Sequence, residues 1–420
     1  MPPAGLREYI EGEDPATGKR VIDEVIDALT KPVNAEGSVP VSGEIPDVGI
    51  DRALLEPDTE ENLQRLFFER GWTDGLPIVL PTEERVRKML TGTSRAQDEM
   101  VGEVFRFDTK ERVKYTVANV AVIAVMAGAR PEHLPVLLAI ASTGQPAIMP
   151  STTPFASMIL VNGPIRKAIA MNSGKGAFGP FNLSNAVIGR AWTLMTLNWR
   201  FDRLRKNFWS SQGNTIGYNN MCVAENEERS VWTPFHVQKG FQADESVVSV
   251  FRGWSVLNSM GGAAFRSHGE EMILQLQAFP ALFSAATLIL DPLVAKILKE
   301  KEGFNTKEEY SRWMSENVKM TAGRFWGTDY IDMLMAPLAY KGEEPYASWK
   351  KLPDDAVITP YNNPEKINIV VIGGETSPVW IASDFNYLAS ASIDEWRARQ
   401  STEGCSDGTC GMPDEPADYD

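Results

Sequence analysis

The stretch Tyr115-Thr116-Val117-Ala118-Asn119-Val120-Ala121-Val122-Ile123-Ala124-Val125-Met126 carries no charge and is rich in Ala and Val. It is too long for a strand. It also breaks at Gly128-Ala129-Arg130, well short of the ~20 apolar residues a membrane span needs. A helix apolar on every side belongs inside a large core. Leu134–Ala141 repeats the pattern and predicts a second buried helix.

Elements of both kinds surround these two. Thr59 with Glu60 and Glu61, and Thr82 with Glu83 and Glu84, predict capped helices ending at Gly71 and Gly92. Ser157–Ile165 reads as a hairpin turning at Asn162-Gly163. Asn185–Leu197 is a helix pattern, and Glu245–Phe251 and Ile367–Ile372 are strands. One or two helices are expected in Phe265–Leu298. Another opens at Thr306, with Glu309 placed for a capping box, and a short one begins at Ser392. No sequence repeat stands out and no regular βαβ rhythm emerges. The fold class is therefore α+β, or an irregular α/β, with a mixed sheet and several buried helices.

Charge divides the chain. Residues 1–60 hold 5 basic and 14 acidic side chains, a net of −9, and residues 401–420 hold none and 6. Residues 61–400 are balanced. The reading is an extended N-terminal arm over 1–58, a catalytic body over 59–400 with room for two subdomains, and a mobile acidic tail from 401. A balanced body argues against nucleic acid as a partner. The polar start is no signal peptide, and 3 cysteines make no disulfide scaffold. Together these predict a cytoplasmic protein off the membrane, and the arm suggests a homo-oligomer.

Two of those cysteines stand in Glu403-Gly-Cys405-Ser-Asp-Gly-Thr-Cys410-Gly. A thiol pair in a tail serves dithiol exchange with a thioredoxin-like reductant, or soft-metal binding. The spacing resembles the CxxxxC tail of class I ribonucleotide reductase large subunits, which implies a relay of reducing equivalents. The third cysteine lies in Asn219-Asn220-Met221-Cys222-Val223-Ala224-Glu225-Asn226-Glu227-Glu228. It is a candidate partner thiol, although nearby carboxylates disfavour its thiolate.

Glu225, Glu228, His236 and His268 form a candidate site for a divalent transition metal. Alternatively, His236 serves as a general base oriented by a glutamate. Gly174-Lys175-Gly176-Ala177-Phe178-Gly179 spells G-x-G-x-x-G without the enclosing βαβ unit. Asn172, Lys175, Gly176 and Asn185 are candidate substrate contacts, with backbone N–H groups and the lysine placed for an anion. Arg200, Arg203, Arg205 and Lys206, among Trp199, Phe201, Phe208 and Trp209, form a basic–aromatic patch.

Gly71-Trp72-Thr73-Asp74-Gly75-Leu76-Pro77, Met171–Gly179, Ala224–Glu228 and Trp232-Thr233-Pro234-Phe235-His236 together resemble a bacterial group related to UGSC-motif (seleno)proteins. That resemblance implies redox or soft-metal chemistry. The first functional expectation is a thiol-dependent oxidoreductase acting on a small organic substrate. The alternatives are a metal-dependent lyase or hydratase using the Glu/His set, and a non-catalytic metal-binding protein.

Overall fold

The computed structural model describes residues 12–13, 17–23, 26, 54–105, 112–200, 210–261 and 267–398. The chain divides into two compact units, Met1–Pro46 and Asp47–Asp420. In the first, Glu13 and Arg20 form an isolated antiparallel bridge. Everything below concerns the second.

It opens with α1 (Glu60–Glu69) and α2 (Glu83–Leu90), which start at the threonine caps read from the sequence. The Thr59 and Thr82 hydroxyls accept from backbone N–H groups three residues on. The hairpin of β1 (Met100–Phe105) and β2 (Arg112–Thr116) follows and takes Tyr115 and Thr116 into a strand. The apolar helices are α3 (Val117–Ala127) and α4 (Leu134–Ser142), buried along almost their whole length. Next come β3 (Ala156–Asn162), α5 (Ile165–Ala168), α6 (Leu183–Arg200), β4 (Cys222–Ala224), α7 (Phe235–Gln238), β5 (Val247–Gly253) and β6 (Val256–Asn258).

The second half runs α8 (His268–Leu276), β7 (Ala286–Leu290), α9 (Pro292–Glu300) and α10 (Lys307–Asn317). Thr306 caps α10 as expected. A small subassembly of β8 (Met320–Thr321), α11 (Ala322–Trp326), α12 (Asp329–Tyr340), α13 (Tyr346–Trp349) and β9 (Val357–Ile358) leads to β10 (Ile367–Val371), β11 (Trp380–Ser383) and β12 (Asn386–Ser392).

The fold is α+β, and three local expectations are corrected. Asn162-Gly163 is no hairpin turn: β3 is a central strand buried on both faces, and the chain leaves it into α5. Between α8 and α9 lies β7, a five-residue apolar run that local pattern cannot tell from helix. Ser392 closes β12, and among the described residues a 3₁₀ turn, Asp394–Trp396, stands where a helix was expected.

Two four-stranded mixed sheets dominate, ordered β12-β5-β3-β4 and β10-β7-β11-β6. Their plan is the same. A central strand (β3 or β7) has a parallel partner at the edge (β4 or β10) and an antiparallel one inside (β5 or β11). The fourth strand of each sheet comes from the other half of the chain. After β5 the chain crosses over to supply β6, and after β11 it crosses back to supply β12. Both crossings meet at Asp384, whose Oδ1 accepts from the Trp254 and Ser255 N–H groups at 2.8 and 2.9 Å. Burial raises that carboxyl's pKa.

Alternating side chains build four layers. Met158, Leu160, Val223, Phe251, Ile289 and Val370 meet between the sheets. Ile159, Val161 and Val250 face α3, α4 and α6. Leu288, Ile369 and Ala382 face α8, α9 and α10.

Candidate functional site

The two parallel pairs, one per sheet, end side by side. The Glu225 N–H donates to the Val161 carbonyl at 3.0 Å, and the Asn226 N–H crosses to the Val371 carbonyl at 2.8 Å. Carboxyl ends of parallel strands commonly line sites, and the predicted acidic residues lie here.

Their geometry is structural. Glu225 is fully buried. Its Oε1 accepts from Lys307 Nζ at 2.9 Å, and its Oε2 accepts from Asn162 Nδ2 and the Phe235 N–H, both at 2.7 Å. Glu227 accepts from Asn162 Nδ2 and the Gly163 N–H, and pairs with Arg166 at 2.9 Å. Glu228 takes two hydrogen bonds from the Arg166 guanidinium, 3.1 and 3.0 Å, which push its pKa down to about 2. His236 is fully buried on α7, with Nδ1 4.0 Å from Glu227 Oε1. His268 belongs to another neighbourhood, beside Glu302 and the Trp380 ring.

The proposed metal set Glu225, Glu228, His236 and His268 is therefore not assembled. Three of its members are committed to separate partners or places, and among the described residues no three His, Cys, Asp or Glu side chains gather as a metal site. Nor is His236 placed as a general base, because no solvent-accessible surface remains on it. Lys307 and Arg166, which neutralise the glutamates, were not singled out from the sequence, and Asn162, which donates to two of them, was read only as a turn residue.

An open cavity of about 280 Å³ lies at the edge of the sandwich between β4 and β6. Cys222 borders it on β4, and Val256 and Asn258 on β6. Asn185 and Ala186, in the first turn of α6, close one side, and the turn containing Thr215 and Asn219 closes another. Gly189 of α6 lets β4 approach: a Cβ there would stand 1.8 Å from the Asn219 carbonyl and 2.9 Å from Cys222 Cβ. Cys222 itself is buried, and burial pushes its thiol pKa well above the ordinary value. The thiolate is disfavoured, as the sequence suggested, but the cause is burial rather than the neighbouring carboxylates.

The candidate substrate contacts divide. Asn185 borders the cavity but spends its amide on the loop, bonding the Asn172 backbone on both sides and the Ala177 carbonyl. Asn172 holds Gly174, Lys175 and Asn182, and Gly176 is a turn residue at φ 67°. Lys175 is exposed. Its backbone packs on Gly374, where a Cβ would approach within 2.6 Å. The G-x-G-x-x-G segment is thus a braced connector whose Ala177, Phe178 and Gly179 border the cavity, while Lys175 is not among the residues that line it. Thr215, Asn219 and Asn258 were missed. The only hint was the Asn-rich Tyr218-Asn219-Asn220-Met221, and nothing flagged Asn258.

The other candidates resolve simply. Asp74, in the Gly71–Pro77 stretch, accepts from the Leu76 N–H as a turn residue does and also pairs with Arg190 through two hydrogen bonds of 2.8 and 2.9 Å. Trp199 is buried and stacked on Tyr115. Arg203, Arg205, Lys206 and the tail cysteines Cys405 and Cys410 lie outside the described residues. No helix among the described residues is long and apolar enough to cross a membrane. Compared with known proteins, the chain matches no family model, no curated protein and no solved structure.

Proposed function

We propose that this chain is a thiol-dependent oxidoreductase acting on a small organic molecule bound between β4 and β6. The observation that carries the reading is the Cys405/Cys410 pair in the sequence; among the described residues, the one ionisable side chain on the cavity wall is also a thiol, Cys222. Among the described residues, that wall holds no carboxylate, amine or imidazole for acid–base chemistry. The metal-dependent alternatives need a Glu/His set that is not gathered in one place.

A buried thiol with a raised pKa is a weak nucleophile. The electrons are therefore assigned to Cys405 and Cys410. In each turnover the two thiols become a disulfide, and the substrate takes up two electrons and two protons. A thioredoxin-like dithiol then reduces the disulfide by exchange. The resemblance to UGSC-motif proteins points the same way, and a reducing cytoplasm keeps such a dithiol in its reduced form. The proposal includes a homo-oligomer.

The test uses the full-length chain, oxidised with hydrogen peroxide and then given thioredoxin, its reductase and NADPH. The expected result is one NADPH consumed per chain, none for Cys405→Ser, and an unchanged uptake for Cys222→Ser. No uptake by the parent, or equal uptake by Cys405→Ser, overturns the proposal.

A further inference from the structure

We infer that the β4/β6 cavity takes uncharged organic molecules of roughly ten non-hydrogen atoms bearing a carbonyl, amide or hydroxyl group, and rejects carboxylates and phosphates; this rests on reading the cavity as the substrate site. Size sets the first limit. A 150 Å³ apolar cavity holds benzene, and this one measures about 280 Å³.

Chemistry sets the second. Phe178, Ile216, Met221, Val256 and Ile381 give the site an apolar body. Thr215, Asn219 and Asn258 give it polar groups. Their side chains have no partner among the described residues, unlike Asn185, whose amide is spent on the loop. An amide both donates and accepts, so it complements a neutral carbonyl, amide or hydroxyl. An anion would lose hydration on entering, and no Lys, Arg or His side chain stands on the described wall to offset that loss.

The wall is also preset. Asn220 and Met221 hold φ angles of 51° and 41°, a left-handed pair without glycine. Such strain persists only where the surroundings impose it. Here Asn220 Nδ2 donates to the Gly189 carbonyl and to Thr193 Oγ1, both at 2.8 Å, while the Thr193 hydroxyl donates to the Gly217 carbonyl at 2.6 Å. These bonds tie the turn that carries Asn219 to α6. Sites that bind without rearranging are built in this way.

The test titrates matched pairs, benzamide with benzoate and nicotinamide with nicotinate, into the full chain by calorimetry and saturation-transfer NMR. The protein carries Cys405→Ser and Cys410→Ser, so that binding is read apart from redox chemistry. Each amide is expected to bind at least tenfold more tightly than its carboxylate. Asn258→Ala weakens the amides several-fold, and Ala186→Trp, a change at an exposed position on the cavity wall, abolishes binding while circular dichroism stays that of the parent. Carboxylates binding as well as amides, amides that do not bind, or binding that survives Ala186→Trp overturns the inference. If the amides bind as expected while the NADPH assay fails, the cavity stands and the thiol mechanism falls.

Discussion

The two open edges of the sandwich are built on the same plan and finished differently. At one, β4 faces β6 and the cavity lies between them. At the other, β10 and β12 stand in the equivalent places, and the gap is filled. Counting from the matching pairs Ile159–Val250 and Leu288–Ala382, the place of Val256 on β6 is taken on β12 by Tyr387. The Tyr387 ring packs edge-on to Phe235 of α7 at 5.6 Å, and Lys239 lies over both rings at 4.6 and 5.0 Å. Burial lowers the pKa of that lysine. Glu225 fastens this plug through the Phe235 N–H and is itself neutralised by Lys307. One edge is therefore core and the other is available to a ligand, although the backbone pattern is shared. The difference lies in side-chain volume and in a short helix inserted after β4.

The largest effect should come from unfastening the closed edge. Lys307→Met leaves Glu225 buried without its counter-charge. Breaking such a pair costs about 3–5 kcal/mol. Urea denaturation should show that loss, and adding Glu225→Gln should recover much of it. A cost below about 1 kcal/mol for Lys307→Met would mean that the plug does not depend on this pair, and the contrast between the edges would need another cause.

The open edge should be the more acid-sensitive of the two. His133 Nδ1 accepts from the Arg130 N–H at 3.0 Å, which makes Nε2 the protonated nitrogen, 3.1 Å from Ser184 Oγ. Ser184 lies beside Asn185 and Ala186 of the cavity wall. Burial lowers the His133 pKa to about 4. The folded pKa lies below the unfolded one, so this contribution is complete above about pH 6.5 and is lost as pH falls towards 4. The loss reaches about 3 kcal/mol. Stability followed by urea denaturation from pH 7 to 4 should show a slope of one proton that His133→Gln removes. Identical slopes in the two proteins would show that the histidine does not report on this edge.

How much of this was legible depends on the range of the physics involved. Capped helices and the charge-free α3 and α4 are written in neighbouring residues, and most were found. The duplicated plan was not, because equivalent positions share backbone pairing rather than residue type: Asn162 ends β3 where Asp291 follows β7, and Val256 answers to Tyr387. The acidic cluster was located but misread. Glu225 and Lys307 are 82 positions apart, and no local pattern announces a pair that distant. Cys222 and Asn185, singled out in the sequence, both border the cavity. Asn219 and Asn258 look like ordinary turn residues until the fold places them on one cavity.

The smallest effect on stability is the sharpest test of the contrast. Val256→Tyr puts at the open edge the residue type that the closed edge already holds. Val256 is only partly buried, and a substitution that fills empty space there should change stability by less than about 1 kcal/mol. The same ring should occupy the cavity and weaken amide binding at least tenfold. Phe235→Ala at the closed edge should do the reverse: a loss of about 3–5 kcal/mol, because a fully packed ring leaves a void, with amide binding little changed. Should Val256→Tyr destabilise the chain as much as Phe235→Ala, the β4/β6 edge is packed core like its counterpart and the two edges do not differ in kind. A stability change confined to Phe235→Ala, paired with a binding change confined to Val256→Tyr, would assign packing to one edge and recognition to the other.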